Sequence, residues 1–183
     1  TRILDIGTGT GQLPIMLAKN NKNYKLTAID LSEKCLKIAR SKAASAGVSA
    51  QVTFTCIDLL QDNWNIEPFD LIISTCSLHH WRRPERILIK ARQLLTDNGE
   101  VWILDDFAGA SPEAKAKWIK KVEDACKPGG LFKTVFSFES KFLAYSHSEI
   151  SDICERTEFS LSNFSSRDIF FLAILEPPTR IFS

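Results

Sequence analysis

Paired cysteines are missing from this chain. Its five cysteines, Cys35, Cys56, Cys76, Cys126 and Cys154, are odd in number and scattered, and no C-x-x-C pair occurs. This argues against a disulfide framework or a zinc site and favours a reducing, cytoplasmic setting. No apolar run approaches the ~18 residues of a membrane span, and no signal-peptide pattern opens the chain. Net charge is nearly absent: 23 Lys and Arg against 22 Asp and Glu leave +1. No global field therefore draws nucleic acid or anionic lipid to the surface. Repeats, low-complexity tracts and interdomain linkers are lacking as well. Methionine occurs once, at Met16, and strand-like sequence begins almost at the first residue, so the expectation is a fragment of a longer chain. Asn163-Phe164-Ser165 is a formal glycosylation sequon that, without a signal peptide, reads as chance. What remains is ordinary globular composition over 183 residues, 44% hydrophobic and 25% charged, enough for one domain with its own core.

Glycine is scarce, with eight in the chain, yet three fall together in Ile3-Leu4-Asp5-Ile6-Gly7-Thr8-Gly9-Thr10-Gly11. A short apolar strand that ends in a glycine-rich turn and opens a helix is the local form of a nucleotide-cofactor site. The spacing is G-x-G-x-G. A dinucleotide fingerprint, G-x-G-x-x-G, would need its third glycine where this chain has Gln12. Downstream, strand-like and helix-like segments alternate, as in a parallel α/β sheet. Strands are expected at 2–6, Lys25–Asp30, Val52–Ile57, Phe69–Ser74 and Val101–Leu104. Helices are expected over 11–20, from the Ser32 cap to about Ala46 before Gly47, and from Pro84 with Ile87, Leu88, Ala91, Leu94 and Leu95 on one face. Asn98-Gly99 is expected to turn that helix into the fifth strand. Ser111-Pro112-Glu113 starts a further helix with Ala114, Trp118, Val122 and Ala125 on its apolar face, stopped by Pro128-Gly129-Gly130. Ser146 and Glu149 fit a capping box. Two last strands, about 159–164 and 168–175, are joined by Ser165-Ser166-Arg167, a connection so short that the pair must be antiparallel.

The G-x-G-x-G loop, an acid after each of strands two and three, and a terminal antiparallel hairpin resemble the class I S-adenosylmethionine-dependent methyltransferases over roughly residues 1–175. The resemblance implies a Rossmann-like, doubly wound α/β sheet of seven strands in the order 3-2-1-4-5-7-6, with strand 7 antiparallel. It implies a single domain, 1–183, without the helices that usually precede strand one, and a substrate-specific insert or lid over about 107–145. Within that insert Phe132, Phe136, Phe138, Phe142 and Tyr145 are expected in the core or the acceptor lid. The implied cofactor is S-adenosyl-L-methionine, with S-adenosyl-L-homocysteine as product. The implied acceptor is a small molecule, with nucleic acid and protein left open.

Site residues follow from the same resemblance. Gly7, Thr8, Gly9 and Gly11 would lie against the methionine part of the cofactor, and Asp5 near its amino group. Asp30 ends strand two, where a carboxylate accepts both hydroxyls of a ribose, and Leu31 would pack on the adenine face. Asp58 would accept from the adenine amino group, with the Leu59 N–H on a ring nitrogen. The backbone of Ser74, Thr75 and Cys76 would border the methyl donor. His79 and His80 are candidate bases, since an imidazole titrates near neutral pH; no third ligand at metal-site spacing accompanies them. Trp81-Arg82-Arg83-Pro84-Glu85-Arg86 reads either as an anion or ring contact or as a solvated helix start. The run Ser74-Thr75-Cys76-Ser77 is not the Asn/Asp-Pro-Pro-Tyr/Phe box of base amino-methylation, and Cys76 lacks the proline of a carbon-methylating Pro-Cys motif. Three alternatives remain at this point: a cofactor-binding module without turnover, a nicotinamide-dependent oxidoreductase, and a purely structural role.

Overall fold

A computed structural model of the chain describes residues 1–61, 64, 66–125 and 144–178. The stop signal Pro128-Gly129-Gly130, the aromatics Phe132, Phe136, Phe138 and Phe142, and Cys126 lie outside the described residues. The elements run β1 Arg2–Ile6, α1 Gln12–Asn20, β2 Lys25–Asp30, α2 Glu33–Ser45, β3 Val52–Cys56, β4 Phe69–Thr75, a 3₁₀ turn Leu78–His80, α3 Pro84–Gln93, β5 Leu95–Asp106, α4 Pro112–Ala125, α5 His147–Arg156, β6 Ser160–Arg167 and β7 Phe170–Glu176. The strands form one seven-stranded sheet in the order β3-β2-β1-β4-β5-β7-β6. The first five are parallel to one another, while β7 is antiparallel to both β5 and β6.

Alternation along each strand splits the core into two layers. Ile3, Leu26, Ala28, Val52 and Phe54 face a layer closed by Ile15 and Ala18 of α1 and Leu36, Ala39 and Ala43 of α2. Leu4, Ile6, Ile29, Ile72, Val101, Ile103 and Phe171 face the other, closed by Leu88 and Ala91 of α3 and Ile150 and Ile153 of α5. Local signals place the helices. The Ser32 hydroxyl accepts from Cys35 N at the start of α2, and Ser146 and Glu149 complete a reciprocal capping box on α5. Gly47 takes a left-handed φ of 70° just past α2, the conformation that stops a helix.

Several boundaries differ from the sequence expectation. Leu94 caps α3 and Leu95 already belongs to β5, so the apolar helix face ends at Ala91. Asn98-Gly99 lies inside β5 in a bulge: Phe69 pairs with Leu95, but Leu71 pairs with Glu100. A Cβ on Gly99 would sit 2.9 Å from the Phe69 carbonyl oxygen, so the glycine serves a close backbone approach rather than a turn. β5 also runs two residues past Leu104, through Asp105 and Asp106. At the hairpin, Ser165, Ser166 and Arg167 pair with Leu172, Phe171 and Phe170. The turn is Asp168-Ile169, and Asp168 takes the left-handed φ of 56° that an aspartate tolerates.

Candidate active site

The carboxyl ends of β1, β2, β3 and β4 open onto one cleft of about 540 Å³, lined among others by Gly7, Gly9, Asp30, Leu31, Asp58, Leu59, Cys76, Ser77 and His80. Ligands of open α/β sheets lie at this edge. The glycine loop is fixed first. Gly7 N and Thr8 N both donate to the Ile29 carbonyl, at 2.9 and 3.0 Å, and Gly11 N donates to Thr8 O at 3.0 Å. Its three glycines have separate tasks. A Cβ on Gly7 would lie 2.0 Å from Ser77 Oγ, and one on Gly11 would lie 2.8 Å from Ala39 Cβ and 2.9 Å from Phe54 Cε1. These two let the loop close against the turn after β4 and against α2 and β3. Only Gly9 has nothing within 4 Å of its Cβ position; it alone bares backbone toward open space. Gly11 is buried against protein, away from the cleft lining.

Asp30 sits between the loop and α2. Its Oδ2 accepts from Gly9 N at 2.8 Å and its Oδ1 from Ser32 N at 2.8 Å. One lone pair on each oxygen remains for a further donor. Leu31 beside it is 72% exposed, a large apolar side chain held at the cleft rim. Asp58 forms a local turn: Oδ1 accepts from Leu60 N at 2.9 Å and Oδ2 from Gln61 Nε2 at 2.8 Å. Leu59 packs into the core at the cleft floor.

Asp5, Thr8, Ser74 and Thr75 stand behind the lining rather than in it. Asp5 is the anomaly. Its carboxylate is fully buried, neither oxygen makes a hydrogen bond of normal geometry, and Thr8 Oγ1 and Ser74 Oγ are likewise unpartnered. Burial pushes the Asp5 carboxyl up to about 6, tempered by the nearby Thr8 hydroxyl and reinforced by the Asp30 charge. A buried carboxylate without a donor is costly, and a cation or N–H donor delivered at the loop would relieve it. At the cleft mouth, Cys76 takes a left-handed φ of 48°. Burial, then Asp105 and Asp106, push its thiol up to about 11, which removes it as a thiolate nucleophile.

A second cavity of about 440 Å³ adjoins the first and is lined by His79, His80, Trp81, Arg82, Ala144, Tyr145 and Glu149. His80, Trp81 and Arg82 line both cavities. The two histidines are close, with ring centroids 4.1 Å apart, but differ in setting. His80 is exposed. His79 is largely buried, and its Nδ1 lies 2.6 Å from Oδ1 of the fully buried Asp105. Asp105 also takes Ser77 N at 2.9 Å and Leu78 N at 2.7 Å on Oδ2, and Asp106 N at 2.8 Å on Oδ1. Donor atoms of His79, Asp105 and Asp106 lie within 4.8 Å of one another. A metal ion there would have to displace the N–H groups that already occupy Asp105. Trp81 is pinned by its indole N–H to Ser77 Oγ at 3.2 Å.

The family model described as "Methyltransferase domain" matches residues 4–101, the span that contains the glycine loop, Asp30, Asp58 and both histidines. The chain belongs to this methyltransferase-domain family. It is 31% identical over 124 residues to 27-O-demethylrifamycin SV methyltransferase of Amycolatopsis mediterranei, a match over 66% of this chain and 45% of that protein. It is 44% identical over 75 residues to a release factor glutamine methyltransferase of Koribacter versatilis, over 39% of this chain and 25% of that protein. The chain thus spans less than half the length of these curated relatives. A solved structure of a SAM-dependent methyltransferase from Aquifex aeolicus superposes with a TM-score of 0.73 at 18% identity, over 96% of this chain and 81% of that one; it shows the shared fold.

In this methyltransferase-domain chain Gly7, Gly9, Asp30, Leu31, Asp58 and Leu59, expected at the cofactor, line one cleft together with His80, expected at the acceptor. The sequence reading missed Asp105, because the fifth strand was ended at Leu104. A pair of acids at the carboxyl end of a buried strand was the available signal. It also missed Glu149, which was read only as a helix cap, and Ser77, whose closeness to Gly7 has no sequence signature.

Proposed function

We propose that this chain binds S-adenosylmethionine across the 540 Å³ cleft and transfers its methyl group to a small-molecule acceptor. The observation that carries this reading is the convergence of the glycine loop, Asp30 and Asp58 on a single crevice. The residues fit the cofactor's two ends. Asp30 offers a lone pair on each oxygen to the ribose hydroxyls, Asp58 accepts from the adenine amino group, and exposed Leu31 receives the purine face. Gly9 gives the methionine part bare backbone, and the unpartnered Asp5 carboxylate suits its ammonium, directly or through water. Gly7, Thr8 and Gly11 hold the loop's shape, while Ser74 and Thr75 set the end of β4 beneath the methyl donor. The bound cofactor supplies an electrophilic methyl group on a sulfonium. The protein's task is alignment of the nucleophile about 3 Å from that carbon.

The acceptor reading rests on the second cavity, which shares His80, Trp81 and Arg82 with the first. Its volume suits a small molecule. The relatives' names cover both a small-molecule and a protein glutamine acceptor, so protein and nucleic acid stay as alternatives to be excluded by assay. His79 and His80 are the groups assigned to the acceptor's proton. Phe107 and Tyr145 pair in a short parallel bridge, so the two ends of the 107–145 insert meet beside this cavity, which supports its assignment as the acceptor-side element of a single domain. A reducing, cytoplasmic setting belongs to the same reading: Cys35, Cys56, Cys76 and Cys154 are free. No helix among the described residues is long and apolar enough to cross a membrane.

Calorimetric titration with S-adenosylmethionine, S-adenosylhomocysteine and NAD tests the reading. Heat from the first two, weakened by about 1–3 kcal/mol in Asp58→Ala through a lost charged hydrogen bond, is expected. Heat from NAD alone would overturn it.

A further inference from the structure

We propose that the face of β2 and β3 turned away from α1 and α2 is a second ligand site, one that takes a nucleoside monophosphate. It is a groove of about 770 Å³ at the amino end of the sheet, and it shares no lining residue with the cofactor cleft or the acceptor cavity. The inference therefore stands apart from the methyl-transfer reading. Its first ground is strand sequence. A parallel strand covered on both faces reads as an apolar run, and β2 and β3 do not. Leu26, Ala28, Val52 and Phe54 enter the layer closed by α1 and α2. The opposite face presents Lys25 and Thr27 of β2 and Thr53 and Thr55 of β3 to the groove, and Thr27 pairs directly with Thr53 across the ladder. The crossover from β3 to β4 reverses direction along the sheet, so its right-handed path lies over this face. Its described residues form no helix; Trp64 and Ile66 wall the groove instead.

Three chemistries meet there. The wall is aromatic: the Trp64 and Phe69 ring centroids lie 6.2 Å apart. The floor carries the three threonine hydroxyls, which have no hydrogen-bond partner among the described residues. The amino-end rim is cationic. Arg2 is held by Glu67, whose carboxylate takes Nη1 at 2.7 Å, and its Nε donates to the Pro68 carbonyl at 3.0 Å, so that ion pair is neutral. Asp70, which takes Arg2 N at 2.8 Å, stands outside the lining. Lys22 and Lys25 have no ion-pair partner among the described residues, and the uncompensated charge of the rim is theirs. An ammonium binds a phosphate as a point charge, a base stacks on an aromatic face, and hydroxyls donate to and accept from a sugar. A nucleoside monophosphate carries all three partners in one molecule. A bare anion would leave the aromatic wall without contact, and an uncharged ring would leave the lysines without a counter-charge. The volume falls within the ~300–1,000 Å³ of small-molecule sites.

The test titrates guanosine monophosphate into the ¹⁵N-labelled 183-residue chain in the presence of S-adenosylhomocysteine. Shifts are expected at the backbone amides of Thr27, Thr53 and Thr55 and at the Trp64 indole N–H, with Gly9, Leu31 and Leu60 unmoved. Shifts confined to those last three residues would place the nucleotide in the cofactor cleft and overturn the proposal; this readout holds whether or not S-adenosylhomocysteine binds. Calorimetry then compares the nucleotide with its parts. Guanosine and inorganic phosphate should each bind about tenfold or more weaker than the nucleotide. Phosphate binding as tightly as the nucleotide would mean an anion-binding rim only and would overturn the site. The exposed pair Lys22→Glu and Lys25→Glu, made together, should weaken the nucleotide about tenfold or more and abolish the loss of affinity between about 50 and about 300 mM salt, while S-adenosylhomocysteine affinity stays as in the parent. Unchanged nucleotide affinity in that variant overturns the assignment. So does sedimentation as a dimer in which Thr53 no longer responds to the nucleotide, since a second copy would then cover the face.

Discussion

Gly9 hangs from Asp30: its N–H donates to Oδ2 at 2.8 Å, while Oδ1 of the same carboxylate takes Ser32 N at 2.8 Å. One side chain therefore ties the glycine loop to the start of α2 before any ligand arrives. Asp30→Ala removes that tie together with the proposed ribose acceptor. Affinity for S-adenosylhomocysteine should fall by about 1–3 kcal/mol in calorimetry. Thermal unfolding should shift down as well, since two N–H groups lose their partner. Asp30→Asn keeps one acceptor and should fall between the two.

The two outer tasks of the loop separate in glycine substitutions. Gly7→Ala places a Cβ 2.0 Å from Ser77 Oγ at a φ of 76°, so the turn after β4 and the loop must part. Gly9→Ala meets nothing within 4 Å and bears only the left-handed backbone strain of roughly 1–2 kcal/mol. Gly7→Ala is expected to lose cooperative thermal unfolding or to melt far lower. Gly9→Ala should remain folded but bind S-adenosylhomocysteine poorly. Equal melting temperatures for the two would contradict this division.

Asp5 gives a pH signature. Its carboxyl is raised from 3.8 to about 6, chiefly by burial. A raised acid destabilises the fold where it is ionised, above about 6, and the penalty is relieved as pH falls from 6 toward 3.8. Asp5→Asn should therefore melt higher than the parent at pH 7.5, with the gap closing near pH 4.5. An ammonium bound at Asp5 favours the ionised form. Parental affinity for S-adenosylhomocysteine should then strengthen as pH rises through 6, and the Asn variant should show weaker affinity with a flatter profile.

The strands, helices and final hairpin were legible because their determinants are local and repeated: apolar strands, capped helices, and a connection too short for anything but a hairpin; the order of the strands in the sheet came from the family resemblance. Asp30 and Asp58 were legible as acids at or just past the ends of strands that the alternation locates, and the roles expected of them came from the family resemblance. The bulge at Asn98-Gly99 was not, since a glycine that permits approach to the Phe69 carbonyl looks the same as a turn glycine. The Asp105–His79 contact was hidden for a related reason. The two residues are 26 apart and meet only because β4 and β5 are parallel neighbours, so their strand ends are adjacent. Gly11 was assigned to the cofactor by its spacing, yet its α2 and β3 contacts are tertiary and leave no mark in the motif.

Cys76 reports on this corner of the site. Its thiol is pushed up to about 11 by burial first and then by the Asp105 and Asp106 charges, although the residue is exposed at the mouth of the cofactor cleft. Alkylation by iodoacetamide at pH 8 should be slow at Cys76 despite that exposure, because the thiolate fraction governs the rate. Exposed Cys56 serves as the internal comparison in the same peptide-mapping experiment. Asp105→Asn removes one of the two opposing charges and should speed modification of Cys76 selectively, leaving Cys56 as before. Saturating S-adenosylhomocysteine should slow it again by covering the cleft. Fast labelling of Cys76 in the parent chain would mean that burial does not hold the thiol up; an Asp105→Asn rate equal to the parent's would mean that the Asp105 field does not reach the methyl-donor side of the loop, and the electrostatic link between β5 and the cleft would fail with it.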